Sequence, residues 1–255
     1  MRSPIDLARK AFKNREVTRL VAASALSKRF RREPSPPRLQ LDPAVPSELE
    51  RIKAAFDERG SDKTSTMSYT SIYASIVGNL EPNPRILEIG IGTNFDDIES
   101  SMGRSGIPGA SLRAFRDLRP DATVFGADVD RRILFEEPGI TTHWVDQLEP
   151  SSLVALRDKL GGEFDLVIDD GLHTRPANRN TFRALFSAVK PGGYFILEDV
   201  VASSIPFWGY ILDRERLHGA VFEMRRESNR FDNVAVVIKA ARRSLGSPGI
   251  SATPR

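Results

Sequence analysis

Short hydrophobic runs alternate with amphipathic stretches through the middle of the chain. Five runs of six or seven mostly apolar residues predict strands at 85–90, 123–128, 140–145, 164–170 and 194–199. Between them, apolar residues recur at helical spacing near Ala110–Asp117, Ser151–Leu160 and Ala177–Val189. Almost continuously apolar strands that are separated by helices are typical of a parallel sheet covered by helices on both faces. The pattern therefore predicts an α/β fold.

The alternation changes near the end of the chain. Two further strands are predicted at 220–226 and 233–240, with only six residues between them. A crossover between parallel strands needs roughly a dozen residues or more, so this pair is predicted to form an antiparallel hairpin. Residues 243–255 carry no core-forming pattern, and we expect them to be a flexible tail.

The folded domain is predicted to span 46–242, after a separate N-terminal segment. Ser47 and Glu50 match a capping box, in which a serine oxygen and a glutamate three residues later satisfy backbone N–H groups. This pattern predicts a helix that begins there and that Gly60 ends, because glycine readily adopts the left-handed conformation that terminates helices. A second helix is predicted near 71–80.

The N-terminal segment, 1–45, combines an amphipathic helix near 5–30 with a proline-rich linker. It holds 11 Lys/Arg and 4 Asp/Glu, whereas the rest of the chain holds 26 Lys/Arg and 30 Asp/Glu. Nucleic-acid-binding domains usually present a basic face, so the mildly acidic body predicts no nucleic-acid partner. The basic segment fits a solvated helix, a contact in a homo-oligomer, or attachment to an acidic membrane or a partner enzyme.

Composition excludes several kinds of chemistry. The 255 residues include no cysteine, which excludes disulfides, zinc–thiolate sites, iron–sulfur clusters and a cysteine nucleophile. No apolar run approaches the ~20 residues of a membrane span, and the N-terminus lacks the apolar core of a secretory signal. We therefore expect no transmembrane segment and a cytoplasmic location.

Glycines follow the first predicted strand of the sheet. In open parallel sheets, ligands bind at the carboxyl ends of the strands, and here that end reads Glu88-Ile-Gly90-Ile-Gly92. Glycine lets a ligand approach the backbone closely. Phe95 stands where a dinucleotide-binding fingerprint would have its third glycine. The pair therefore predicts either a cofactor loop or a plain strand-to-loop turn.

Polar residues also end the second and third predicted strands. A carboxylate at Asp128 suits the two hydroxyls of a ribose, and Asp146 with Gln147 suits the edge of an adenine. Each also has an ordinary structural interpretation, as a helix cap or a solvated loop residue. Their order along the strand ends favours a nucleoside-containing cofactor.

Carboxylates and one histidine follow the fourth and fifth predicted strands. Asp170 ends the fourth strand, and Glu198 and Asp199 end the fifth. Carboxylates that converge in one cleft repel each other unless a proton or a cation intervenes, and oxygen ligands favour Mg²⁺ or a similar hard cation. His173 follows on the same loop as Asp170, where an imidazole can accept a proton near neutral pH.

Together these motifs resemble the class I S-adenosylmethionine-dependent methyltransferases over roughly 60–240. EIGIG, GADVD and VDQ resemble the cofactor motifs of that class. The resemblance implies a Rossmann-like sheet of seven mostly parallel strands with a C-terminal antiparallel hairpin. It implies that S-adenosylmethionine contacts the residues of these motifs: Glu88, Gly90, Gly92, Asp128, Asp146 and Gln147.

Four further segments are similar to the metal-dependent O-methyltransferases of macrolide sugars, of the mycinamicin and macrocin type. They read GSDKTSTMSYTSIY, PGASLRAF, VIDDGLH and PGGYFILED. The similarity implies Asp170, Glu198 and Asp199 as Mg²⁺ ligands, His173 as general base and Ser111 as a cofactor contact. It also suggests that the 91–109 insert covers the cofactor, although a plain loop fits too.

The function implied is Mg²⁺-assisted methylation of a hydroxyl on a glycosylated natural product, a small-molecule acceptor. Three alternatives stay open at this point. The first is a catechol or flavonoid O-methyltransferase, which uses the same metal chemistry. The others are a nucleic-acid methyltransferase and a non-catalytic module that binds S-adenosylmethionine.

Overall fold

A computed structural model describes residues 39–64, 69–223 and 234–241. The helix predicted near 5–30, the tail at 243–255 and the connection within the C-terminal hairpin lie outside these residues. Among the described helices, none is long and apolar enough to cross a membrane.

The fold is built on one twisted sheet, as the alternating pattern predicts. Its strands are β1 Arg85–Ile89, β2 Thr123–Asp128, β3 Glu136–Glu137, β4 Ile140–Trp144, β5 Phe164–Asp169, β6 Val189–Leu197, β7 His218–Glu223 and β8 Val234–Lys239. They are ordered β3-β4-β2-β1-β5-β6-β8-β7. The five strands from β4 to β6 run parallel, and β8 is antiparallel to both β6 and β7. The predicted α/β sheet and its C-terminal hairpin are confirmed.

The sheet has eight strands rather than the seven predicted. The additional strand, β3, is only two residues long and pairs antiparallel with β4 at the edge of the sheet. Gly139 adopts a φ of 79° in the tight turn between them, a left-handed conformation that suits glycine. Two acidic residues carry no apolar alternation, so the hydrophobic pattern could not reveal this strand.

Helices cover both faces of the sheet. They are α1 Pro46–Arg59, α2 Thr70–Val77, α3 Ala110–Leu118, α4 Pro150–Leu160, α5 Arg175–Leu185 and α6 Ile205–Arg214. Helices α1 to α3 pack on one face with Ile86 of β1, and α4 to α6 pack on the other face with Leu87 and Ile89. Because side chains alternate along a strand, Glu88 points toward the face that carries α1 to α3.

The predicted capping box of the first helix was wrong. Helix α1 begins at Pro46, with Val45 as its N-cap and no side-chain cap. Proline suits the first helical position because its fixed φ is helical and its missing N–H would have no partner there. Glu48 instead forms an ion pair with Arg51 at 2.6 Å. Gly60 ends the helix with a φ of 76°, as predicted.

Several other predicted boundaries shift, among them those of α5 and β6. Helix α5 stops at Leu185 rather than Val189 because a short 3₁₀ turn intervenes and Val189 already begins β6. Strand β6 ends at Leu197, so Glu198 and Asp199 lie in the connection that follows it. Both side chains are therefore placed at the carboxyl edge, where loops from neighbouring strands meet.

Candidate active site

Gly90 brings the loop after β5 against the end of β1. Its N–H donates to the Ala127 carbonyl at 2.8 Å, and its φ is 86°. A Cβ at this position would stand 2.2 Å from the Asp170 carbonyl oxygen. The absence of a side chain thus lets the Asp170 backbone pass directly over the strand end.

Gly92 lies near the start of the loop 91–109, and a later part of the same loop folds back against it. A Cβ on Gly92, whose φ is 80°, would stand 2.2 Å from the terminal methyl of Met102. The loop folds back over the strand end, because Met102 N–H donates to the Thr93 carbonyl at 2.9 Å and Gly109 N–H donates to the Ile91 carbonyl at 2.7 Å. The Met102 side chain covering Gly92 is flexible and 39% exposed.

Asp128 connects the ends of β1 and β2. Its two carboxylate oxygens accept the backbone N–H groups of Ile91 and Asp130, each at 2.9 Å. Burial raises the pKa of Asp128, and these hydrogen bonds oppose that increase. Each oxygen of an ionised carboxylate can accept a second hydrogen bond, so the side chain keeps capacity for a ligand hydroxyl.

Asp130, which was absent from the predicted site, lies beside Asp128. Its carboxylate accepts from Thr93 Oγ1 at 2.6 Å and from the Arg132 guanidinium at 2.7 Å. The Arg132 hydrogen bond lowers the pKa of Asp130. The signal was present in the GADVD motif, whose second carboxylate is this residue.

The third strand end directs its amide into the protein. Gln147 Nε2 donates to Asp169 Oδ1 at 2.6 Å and to Thr181 Oγ1 at 2.8 Å, while Gln147 Oε1 accepts from Leu172 N–H at 2.8 Å. Asp146 is half-buried, and its Oδ1 accepts from Leu148 N–H at 2.8 Å. The adenine contact assigned to Asp146 and Gln147 stays a prediction.

A buried lysine gathers carboxylates from three strand ends. Lys63 Nζ lies 3.0 Å from Glu88 Oε1 and also contacts Asp170 Oδ2 and Glu198 Oε2. Ser111 Oγ donates to Glu88 Oε2 at 2.6 Å. We call Lys63, Glu88, Asp170 and Glu198 the lysine cluster. Glu88 and Ser111, both predicted cofactor contacts, are buried beside it rather than at an open surface.

Two tyrosines from the start of α2 complete these surroundings. The Tyr73 hydroxyl donates to Glu198 Oε1, and the Tyr69 hydroxyl donates to Asp199 Oδ1 at 2.6 Å. The resemblance implied that the SDK…Y stretch lines the cofactor and acceptor pocket, which stays a prediction, but it gave no individual role to Lys63, Tyr69 or Tyr73. All three fall within the quoted GSDKTSTMSYTSIY segment, so the motif was visible but the role of each residue was not.

The lysine cluster sets one ammonium against three carboxyl groups. Burial lowers the pKa of the Lys63 ammonium, but Asp170, Glu198 and Glu88 outweigh that effect and hold it well above its ordinary value. Burial and the Asp170 charge raise the pKa of Glu198 well above its usual range, despite the opposing effect of Lys63. One ammonium facing three carboxyl groups favours uptake of a proton or a cation.

A second group of ligand atoms lies on the outer side of Asp170. Asp170, His173 and Asp199 each offer one nitrogen or oxygen, and these atoms all lie within 4.8 Å of one another. His173 Nε2 is 3.9 Å from Asp170 Oδ1. His173 and Asp199 also share positive φ values of 54° and 48°. Such backbone costs about 1–3 kcal/mol and clusters at functional sites.

The donor atoms of this group fit a small divalent cation. Ligands on opposite sides of Mg²⁺ are about 4.2 Å apart, since each bond is about 2.1 Å, and a span of 4.8 Å needs only a small contraction. Glu198, predicted as a metal ligand, lies outside the group because its carboxylate oxygens contact Lys63 and Tyr73. His173, predicted as the general base, lies within it.

Comparison with known proteins gives sequence relatives of one kind. No protein-family model matches the chain. The chain is 32% identical over 189 residues to 8-demethyl-8-alpha-L-rhamnosyl tetracenomycin-C 2'-O-methyltransferase of Streptomyces olivaceus. The aligned region covers 69% of this chain and 48% of the relative. It is 37% identical to demethylmacrocin O-methyltransferase of Streptomyces fradiae, over 49% of this chain and 29% of that one. Mycinamicin VI 2''-O-methyltransferase of Micromonospora griseorubida is 33% identical, over 53% and 32%.

Solved structures of one methyltransferase share the fold of this chain. The MycE methyltransferase of the mycinamycin biosynthetic pathway, solved with Mg, SAH and mycinamycin VI, superimposes with a TM-score of 0.57 at 22% identity. The match covers 78% of this chain and 57% of that one. A second structure of the same protein with Mg and SAH gives a TM-score of 0.57 at 23% identity.

The chain thus has the class I methyltransferase fold, as the strand pattern and the motifs predict. The predicted resemblance to O-methyltransferases of the mycinamicin and macrocin type is also confirmed, and the relatives include a tetracenomycin rhamnosyl O-methyltransferase. The chain spans less than half the length of these curated relatives.

Proposed function

We propose that this protein transfers a methyl group from S-adenosylmethionine to a sugar hydroxyl of a glycosylated polyketide, with the help of Mg²⁺. The observation that carries the proposal is the convergence of Asp170, His173 and Asp199 at the carboxyl edge of the sheet. The relatives support the acceptor class, since their names describe methylation of rhamnosyl and macrolide sugars.

The cofactor would lie along the ends of β1 and β2. Asp128 keeps acceptor capacity for ribose hydroxyls. The three heavy atoms nearest to a Cβ on Gly92 all belong to the flexible Met102 side chain. Displacement of a thioether side chain that is 39% exposed is inexpensive. The excess of carboxylates nearby suits the positive charge of a sulfonium.

The charge balance at this edge favours a divalent cation. Four carboxyl groups converge there (Glu88, Asp170, Glu198 and Asp199), and the nearby ammonium of Lys63 offsets one negative charge. Asp170 and Asp199 would hold the cation, with His173 within reach. A bound Mg²⁺ lowers the pKa of a hydroxyl that it contacts.

The protein's own residues supply alignment and a base. The methyl group leaves the sulfonium sulfur, which keeps the electron pair of the broken C–S bond, and forms a new bond to the acceptor oxygen. The hydroxyl proton passes to the imidazole of His173, and the Asp170 carboxylate, 3.9 Å away, stabilises the resulting positive charge. Holding acceptor and methyl donor in line removes much of the entropic barrier.

The proposal can be tested with methyl-labelled S-adenosylmethionine and a panel of rhamnosyl and deoxysugar polyketides, each paired with its aglycone and with a catechol. We expect the labelled methyl group to be transferred only to sugar hydroxyls. Turnover should be lost in EDTA and restored by Mg²⁺. Asp170→Asn should abolish turnover, whereas Asp158→Asn, an exposed carboxylate on α4, should not. Labelled catechol or aglycone would contradict the acceptor class, and turnover that persists in EDTA would contradict the metal.

A further inference from the structure

Lys63 is the buried positive charge that joins three of the strand-end carboxylates. Its side chain is 3% exposed, and its ammonium contacts one oxygen each of Glu88, Asp170 and Glu198. Lysine is almost never this buried unless its charge is paired. The partners come from β1 and from the connections after β5 and β6, so a single ammonium links three elements of the edge.

Asp170 is shared between this ammonium and the candidate metal group. Its Oδ2 contacts Lys63, while its Oδ1 is the oxygen that faces His173 Nε2 at 3.9 Å. A cation held by Asp170 and Asp199 beside His173 would therefore share the Asp170 carboxylate with Lys63. Two positive charges on one partly buried carboxylate weaken each other's binding.

We propose that Lys63 is a built-in countercation that neutralises the strand-end carboxylates when the metal is absent and lowers the affinity of the edge for the divalent cation. This inference rests on the metal role in the proposed function. On this view, the charge of Lys63 determines how tightly the site binds the metal. A lysine that only supported packing would have the opposite effect, since its removal would loosen the ligands and weaken binding.

Lys63→Met tests the inference because methionine keeps a long apolar stem and removes the charge. We expect the full chain with this change to bind Mn²⁺, measured by calorimetry or electron paramagnetic resonance, at least tenfold more tightly than the unaltered protein. Lys53→Met is the matched control. It removes the charge of an exposed lysine on α1 that pairs with Asp57, and its Mn²⁺ affinity should stay within twofold.

Thermal unfolding supplies a second readout. In EDTA, Lys63→Met should melt at a lower temperature than the unaltered protein, because its carboxylates lack a countercation. Saturating Mn²⁺ should raise its melting temperature by more than it raises that of the unaltered chain. If the variant is unfolded in EDTA, we expect Mn²⁺ to induce folding, followed by circular dichroism.

The outcomes distinguish the metal role in the proposed function from the role of Lys63. If the unaltered protein binds no Mn²⁺, the metal role in the proposed function is wrong. If the unaltered protein binds Mn²⁺ and Lys63→Met binds it equally or more weakly, only the role of Lys63 is wrong. A variant that stays unfolded in saturating Mn²⁺ also contradicts the role of Lys63.

Discussion

Gln147 donates an amide hydrogen bond of 2.6 Å to Asp169, a carboxylate that is completely buried behind the candidate active site. The same amide donates to Thr181 on α5, and its oxygen accepts the N–H of Leu172 in the loop after β5. One side chain therefore connects the end of β5, helix α5 and the loop that carries His173. We infer that Gln147 holds this loop in place.

Replacing Gln147 with leucine should destabilise the protein. Leucine has a similar size but cannot donate to Asp169, which keeps Asn178 as a donor, and it leaves the Leu172 N–H without this acceptor. Losing such buried partners costs about 1–3 kcal/mol. Urea unfolding would measure the loss. Gln40→Leu, at an exposed position, is the control and should change stability by less than ~0.5 kcal/mol. Unchanged stability combined with weaker binding of S-adenosylmethionine would favour the predicted adenine contact instead.

Gly90→Ala and Gly161→Ala form a matched pair of substitutions. Both glycines have positive φ, 86° and 79°, but a Cβ on Gly90 would stand 2.2 Å from Asp170 backbone whereas one on Gly161 meets nothing within 4 Å. Both changes carry the left-handed cost of about 1–2 kcal/mol. Gly90→Ala should cost more and should also lower Mn²⁺ affinity, since Asp170 must move. Equal destabilisation in the two variants, measured by urea unfolding, would show that the backbone clash is relieved without cost.

Local patterns predicted most of the fold because every strand of the sheet except β3 carries its own apolar signal. Residues 164–169 of the predicted run 164–170 form a fully buried strand, β5, with helices on both faces, and Asp170 lies in the loop that follows. The hydrophobic pattern was uninformative where an element has no apolar side chains or where backbone geometry decides its boundary. The two-residue strand β3 is acidic, and the first turn of α1 is set by Pro46 rather than by the serine that follows it.

The candidate site was predictable as a location but not as a set of contacts. Strand ends meet at one edge in any parallel sheet, so Asp170 and Asp199 could be expected near each other. Which carboxylate faces a lysine depends on distant parts of the chain: Lys63 and Glu198 are 135 residues apart. Gln147 likewise turns inward, where it and Asn178 donate to the fully buried Asp169 at the end of β5.

The ion pair between Arg119 and Asp121, in the turn before β2, predicts a pH dependence of stability. The Arg119 guanidinium and the Asn83 N–H hold the pKa of Asp121 well below its usual range. A lowered folded-state pKa means that the stabilisation is complete above the unfolded pKa of about 3.9 and is lost as the pH falls toward the folded value. The stability difference between the unaltered protein and Asp121→Asn should therefore be constant from about pH 7 to 5 and shrink below about pH 4. Urea unfolding across this range would measure it, and an equal difference throughout would contradict the assignment.

His173→Asn separates the two roles that the geometry allows for this histidine. Asparagine tolerates the left-handed backbone that His173 adopts, with a φ of 54°, so the variant removes the imidazole without adding strain. If His173 is the general base, turnover should fall by ~10²–10⁴-fold while Mn²⁺ affinity changes little. His218→Asn, an exposed histidine at the start of β7, should keep full turnover. If His173→Asn loses Mn²⁺ affinity together with turnover, the imidazole is a metal ligand. A residue that acts only as the base, removing the proton of the acceptor hydroxyl, does not contribute to binding the cation.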